Sequence, residues 1–160
     1  MKIMGIVGYS GSGKTRLIAR LIPELKKRGK SVAVIKHCGH GFDLGGKDKD
    51  SSKFLAAGAD GVVLVGGGSR AVLSKNKAGT AFSEIARDSF RRADIVLVEG
   101  GRKDRGLRKI EVLRRGMAGE IQSLARELAA VVADFPVTSR VPVFRPDELK
   151  KIADWLEGGS

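Results

Sequence analysis

The chain has 160 residues, 42% of them hydrophobic and 30% charged, with a formal net charge of +12 and one cysteine, Cys38. That length suits one domain with one buried core, the composition excludes a disordered or fibrous chain, and a lone cysteine excludes an intrachain disulfide and suits a reducing cytoplasm. The positive charge favours polyanionic company, whether nucleic acid, a membrane surface or phosphorylated small molecules, although an aromatic content of only 5% argues against nucleic acid held by base stacking.

Ile3, Met4, Ile6 and Val7 make a buried-strand run over residues 2–7. This apolar run lacks a small-residue cleavage pattern, so it reads as a strand and not as a signal peptide, and no apolar run approaches a membrane span. Residues 8–15 follow as Gly8-Tyr9-Ser10-Gly11-Ser12-Gly13-Lys14-Thr15, a G-x-x-x-x-G-K-[ST] phosphate loop. Its glycines let the backbone curl so that successive N–H groups face one centre. The helix that opens there adds unpaired N–H groups and a positive dipole end. Residues 10–15 therefore line a phosphate site: Ser10, Gly11, Ser12 and Gly13 by backbone, Lys14 through the β- and γ-phosphates, and Thr15 through its hydroxyl on Mg²⁺.

Leu17, Ile18, Leu21, Ile22 and Leu25 give the stripe of an amphipathic helix, with Pro23 predicting a bend or break near Ile22. Lys26, Lys27, Arg28 and Gly29 read as its end. Residues 31–36 are a second strand, completing a βαβ unit with a parallel sheet and right-handed crossover. A polar, Gly-rich loop over residues 37–50 leaves the carboxyl end of that strand, where ligands gather in α/β sheets. Residues 51–57 read as a short helix, and residues 61–65 and 70–74 as a hairpin around Gly66-Gly67-Gly68. Residues 81–90 form a helix. Residues 94–99 form a central strand, apolar on both faces, that ends in Glu99-Gly100-Gly101 and a basic loop with Arg102, Lys103, Arg105, Arg108 and Lys109. Further strands follow at 110–113, 129–134 and 141–144, a helix at 119–128, and a C-terminal helix opened by Pro146. The fold class is α/β: a three-layer phosphate-loop NTPase fold, a mostly parallel sheet with helices on both faces.

Three elements converge on the phosphates. Beside the loop stands Glu99, an acid at a strand end, where phosphate-loop enzymes place a Mg²⁺ carboxylate. The loop over 37–50 adds Asp43, Asp48 and Asp50 as further candidates for the metal. His37 and His40 do not make a closed zinc site with Cys38, because four ligands are needed and the chain has no other Cys or His. They read instead as loop residues that touch ligand or phosphate. The basic loop over 102–109 reads either as a solvated face or, through Arg102 and Lys103 with His37 and His40, as a second phosphate site. No Asn-Lys-x-Asp guanine motif is present, since Asn76-Lys77 is followed by Ala78-Gly79. Asp134, at the end of a late strand, is the candidate base contact.

These residues, together with Ile35-Lys36-His37, Phe42-Asp43, Lys49-Asp50-Ser51, Ala57-Gly58-Ala59, Val98-Glu99-Gly100 and Lys109-Ile110-Glu111-Val112, resemble in order and spacing the molybdopterin-guanine dinucleotide biosynthesis protein B (MobB) family. The similarity runs through residues 131–136 and the C-terminal helix. It implies a cytoplasmic, homodimeric GTP-binding accessory protein with weak GTPase activity, which assists a separate guanylyltransferase in attaching GMP to molybdopterin. It further implies that Asp50 and Glu99 lie near Mg²⁺ with Thr15, and that Lys36 joins Lys14 at the phosphate end. The chain departs from the family where an aromatic and a lysine usually follow Val-Glu-Gly: here stand Gly101, Arg102 and Lys103. The other function the fold accommodates is that of a metabolic kinase or ATP-dependent ligase of the dethiobiotin-synthetase class.

Overall fold

In the computed structural model, which describes residues 1–39, 41, 49–75, 77, 79–117 and 120–158, the elements in chain order are β1 (Lys2–Val7), α1 (Lys14–Lys27), β2 (Val32–Lys36), α2 (Asp50–Ala56), β3 (Gly61–Gly66), β4 (Ser69–Ser74), α3 (Phe82–Ser89), β5 (Ile95–Glu99), β6 (Lys109–Leu113), β7 (Leu128–Ala133), β8 (Val143–Phe144) and α4 (Leu149–Gly158). They fall into two compact units, one of Met1–His37 with Ala81–Ser160 and one of Cys38–Thr80. Among the described residues no helix is long and apolar enough to cross a membrane.

The first unit is built on a six-stranded sheet in the order β2-β5-β1-β6-β7-β8, parallel at every pairing. β5 lies between β2 and β1 with Ile95, Val96, Leu97 and Val98 all buried, as its run of aliphatics requires. One face packs Met4, Ile6, Leu97 and Ile110 against Leu17, Leu21 and Leu25 of α1 and Ile152 and Leu156 of α4. On the other, Val96, Ile3 and Ile35 pack against Ala86 of α3 and Phe90. Parallel register sets Ile6 beside Glu99 and Lys36 beside Glu99. The strand-end acid, Lys36 and the loop leaving β1 therefore share one edge of the sheet.

α1 runs through Pro23 as one helix, so of the bend or break expected near Ile22 the break does not occur. Leu21 and Leu25 are fully buried on either side of it, so core packing outweighs the lost bond. The carbonyl deprived of a donor belongs to Ala19, an exposed residue, so the loss falls where solvent has access to the oxygen. The expected helix over 119–128 is absent from its described part, 120–128. The backbone N–H groups of Gln122 and Ser123 instead donate to the Glu111 carboxylate at 2.9 and 2.8 Å, a partner from another element. Ile121 from this segment, with Phe135, Val137 and Val141, covers Leu113 and Val131. α4 begins at Leu149 and not at Pro146, because the Arg145 N–H donates to Glu148 Oε2 at 2.8 Å while Glu148 N–H donates to the Arg145 carbonyl at 3.1 Å. That reciprocal pair spends a turn before the helix opens.

In the second unit α2 precedes the antiparallel β3–β4 hairpin, in which Val63 faces Val72 and Val65 faces Arg70.

Candidate nucleotide-binding site

β1 delivers the chain at Val7 into the loop, and α1 begins at Lys14 with Gly13 as a left-handed N-cap and no capping side chain. The helix N-terminus is thus left to an anion. Gly8 has φ +141° and passes so close beneath β6 that a Cβ there would lie 2.4 Å from the Val112 carbonyl oxygen. Only glycine fits the motif's first position here.

Lys14 Nζ donates to the carbonyls of Gly8 and Tyr9 at 3.0 and 2.6 Å, lying along the loop it serves. Partial burial holds its pKa below the ordinary lysine value, Glu99 pulls it back up, and the positive charges of Arg102 and Lys36 depress it further. Extra negative charge, such as a polyphosphate, is what this environment accepts. Thr15 Oγ1 donates to Glu99 Oε1 at 2.7 Å, and Lys36 Nζ lies 3.5 Å from the same oxygen. Loop, helix start, β2 end and β5 end therefore meet on one carboxylate. Two hard oxygen donors side by side suit Mg²⁺, which completes its shell from phosphate and water.

The Glu99 carbonyl accepts the His37 N–H at 2.9 Å, so His37 belongs to this edge through its backbone. Its ring stands edge-on to Phe82 at 5.5 Å and 78°. A Cβ on Gly101 would lie 2.7 Å from the Phe82 ring, so in this chain Phe82 needs a residue without a side chain at 101. Arg102 carries its guanidinium 5.2 Å above the Tyr9 ring centroid and donates to Gln122 Oε1. Lys103 is exposed. Asp50 begins α2 in the other unit, with a largely exposed side chain ion-paired to Lys53 at 3.6 Å. His40, Asp43 and Asp48 lie outside the described residues.

A cavity of about 330 Å³ opens on the far side of the loop. Ser12, Gly13, Arg16 and Arg20 line it from the loop and α1, Val112 and Arg114 from β6 and its exit, Asp134 from the end of β7, and Arg145 and Asp147 from the approach to α4. The Ser12 hydroxyl is buried without a hydrogen-bond partner among the described residues. Asp134 Oδ1 accepts the Arg115 N–H at 2.7 Å, and Arg114 donates to the Gly11 carbonyl at 3.2 Å. The β6 exit is thereby tied to both the loop and Asp134.

Sequence reasoning missed Tyr9, Arg114 and Gln122 at this site and placed Lys109 in the basic loop after β5, outside any strand. Lys109 is the first residue of β6 and is fully buried. The available signal was the Lys-Ile-Glu-Val alternation itself, which puts two charges on one face of a strand.

Residues 3–134 match the family model described as molybdopterin guanine dinucleotide synthesis protein B, MobB. The chain is 32% identical over 156 residues to the molybdopterin-guanine dinucleotide biosynthesis adapter protein of Haemophilus influenzae, covering 97% of this chain and 87% of that one. To the Escherichia coli protein of the same name it is 28% identical over 160 residues, covering 96% and 90%. A crystal structure of molybdopterin-guanine biosynthesis protein B superposes with a TM-score of 0.73 at 30% identity, covering 98% of both chains. With its six-stranded parallel sheet, its phosphate loop and a family match through β7, this chain belongs to the MobB family.

Proposed function

We propose that the chain binds GTP with Mg²⁺ and acts as the adapter that supports GMP attachment to molybdopterin by a separate guanylyltransferase, hydrolysing GTP only slowly. The observation that carries this reading is the Thr15–Glu99 pair at the mouth of the phosphate loop, in a chain of this family. Lys14 and Lys36 supply positive charge to the polyphosphate, and Thr15 and Glu99 supply protein oxygens to the metal. The metal's role is to screen the phosphate charge and orient the oxygens. His37, Arg102 and Lys103 are proposed as the residues at which a phosphorylated pterin meets the nucleotide.

The cavity beside Ser12 is the natural seat for ribose and base. The Asp134 carboxylate accepts hydrogen bonds, and the Watson–Crick edge of guanine offers two N–H donors where adenine offers an acceptor at N1. A site built to accept such donors rejects a base that lacks them. In a competition series, wild type is expected to prefer GTP to ATP. Asp134→Asn keeps an oxygen for the Arg115 N–H but weakens the charge-assisted contact, so the preference should fall about 10–100-fold. An ATP preference in the wild type, with turnover at ordinary enzyme rates, would replace this reading by a kinase or ligase.

A homodimer fits the second unit. Val63, Val65 and Val72 share one face of the hairpin at 56, 82 and 62% exposure, and a two-stranded sheet alone is marginal in water. A second copy covering these valines would complete it. Val65→Lys should shift the protein from dimer to monomer in light scattering, with nucleotide affinity retained. An unchanged mass would place the interface elsewhere.

A further inference from the structure

β6 carries buried charges where a strand inside a sheet usually carries none. Lys109 and Glu111 are two residues apart and so share a face, at 0 and 2% exposure, while Ile110 and Val112 enter the core with α1 and α4. Buried charges persist only when paired, and the pairings here lead to one place. Lys109 Nζ donates to Glu127 Oε2 at 2.6 Å and to the Arg102 carbonyl at 2.8 Å. Glu127 is itself 2% exposed and takes a second contact from Arg105 at 3.2 Å. The hydrogen bond from Lys109 holds its carboxyl below the usual range. The two oxygens of Glu111 fix the backbone of Gln122 and Ser123, and the Gln122 side-chain oxygen accepts from the Arg102 guanidinium. Arg102 is thus held by its carbonyl from Lys109, the first residue of β6, and by its guanidinium through Gln122, whose backbone is fixed by Glu111 at the middle of the same strand.

Arg102 is an exposed residue, and an untethered arginine pays heavily in rotamer entropy to hold one pose. Here it rests over the ring of Tyr9, whose carbonyl accepts Lys14 Nζ. A buried ion pair is a poor device for stability alone, because apolar residues of the same size serve as well or better. Holding an exposed cation beside the phosphate loop gives such a pair a purpose.

We propose that Lys109 with Glu127, and Glu111 with Gln122, are positioning residues that hold the Arg102 guanidinium over the phosphate loop as a preset cation for the terminal phosphate of the bound nucleoside triphosphate. This rests on the nucleotide reading above. Arg102 adds charge next to Lys14, and its fixed pose spares the ordering cost when the phosphate arrives.

The test measures the affinity of fluorescently tagged GTP and GDP for the full chain with Mg²⁺. Arg102→Ala is expected to weaken GTP about tenfold more than GDP. The apolar double variant Lys109→Met with Glu127→Leu should melt at or above the wild-type temperature and yet lose the same preference. Combined with Arg102→Ala it should add nothing further. A double variant that folds and keeps the wild-type preference overturns the proposal, as does a loss that adds to that of Arg102→Ala. Gln122→Ala buries no orphaned charge and decides the matter if the double variant does not fold: a preference reduced in part supports the proposal, and an unchanged one sinks it. If wild type binds neither nucleotide, or Lys14→Ala binds both as wild type does, the nucleotide reading itself fails, a result distinct from a wild type that binds well while the tethers prove idle.

Discussion

Lys14→Ala is expected to abolish most of the thermal stabilisation that GTP with Mg²⁺ gives the wild type. Ligand held a hundredfold above its dissociation constant stabilises the folded state by about 2.7 kcal/mol. In a chain of this size, about 2–4 °C per kcal/mol makes that a rise of roughly 5–11 °C. Lys14 is the loop's own cation, and its ammonium is satisfied by the Gly8 and Tyr9 carbonyls. Without nucleotide its removal costs two part-buried hydrogen bonds and the attraction of Glu99, but it relieves the burial of a charge and the repulsion from Arg102 and Lys36, so the melting point of the free protein should move little. With nucleotide the loop lacks the one side chain that reaches from helix start to phosphate, and the gain collapses. Differential scanning fluorimetry with and without GTP checks both halves. Equal gains in wild type and variant would show that the loop does not hold the triphosphate.

Gly8→Ala is expected to damage both fold and site. At φ +141° an alanine is strained, and its Cβ would stand 2.4 Å from a backbone oxygen of β6 and 2.9 Å from Ser12 Oγ. Backbone strain of about 1–3 kcal/mol and overpacking of about 1–3 kcal/mol together suggest a loss on the order of 3 kcal/mol, seen as a melting point lower by roughly 6–12 °C. Gly13→Ala is the control. Gly13 also has a positive φ, +97°, but among the described residues its Cβ would meet nothing within 4 Å, so strain acts alone and the loss should be smaller. Nucleotide affinity should fall further in Gly8→Ala, because relieving the clash means moving either the loop or the β6 exit, which Arg114 ties to the carbonyl of Gly11. A melting point for Gly8→Ala equal to that of Gly13→Ala would refute the steric account.

Where a feature depends on neighbouring residues alone, this chain spells it out. The spacing of Gly8, Gly13, Lys14 and Thr15 specifies a phosphate loop, the four aliphatics before Glu99 specify a strand covered on both faces, and the stripe from Leu17 to Leu25 specifies α1. Pro23 shows the limit of such reading: a local penalty gave way to Leu21 and Leu25 in the core. The segment after residue 119 shows it again, because an apolar rhythm fit for a helix lost its N–H groups to Glu111. Lys109 looked like one more cation in a basic loop, and only the pairing of β6 with β1 and β7 takes it out of water and onto Glu127. The sequence by itself determined that a phosphate-loop motif follows β1, since backbone curl and helix start are encoded within eight residues. The sequence also points to Glu99, Lys36 and Arg102 near that loop; only the tertiary structure decided what holds them there, because strand register sets Lys36 beside Glu99 and a buried ion pair between residues far apart in the chain anchors Arg102.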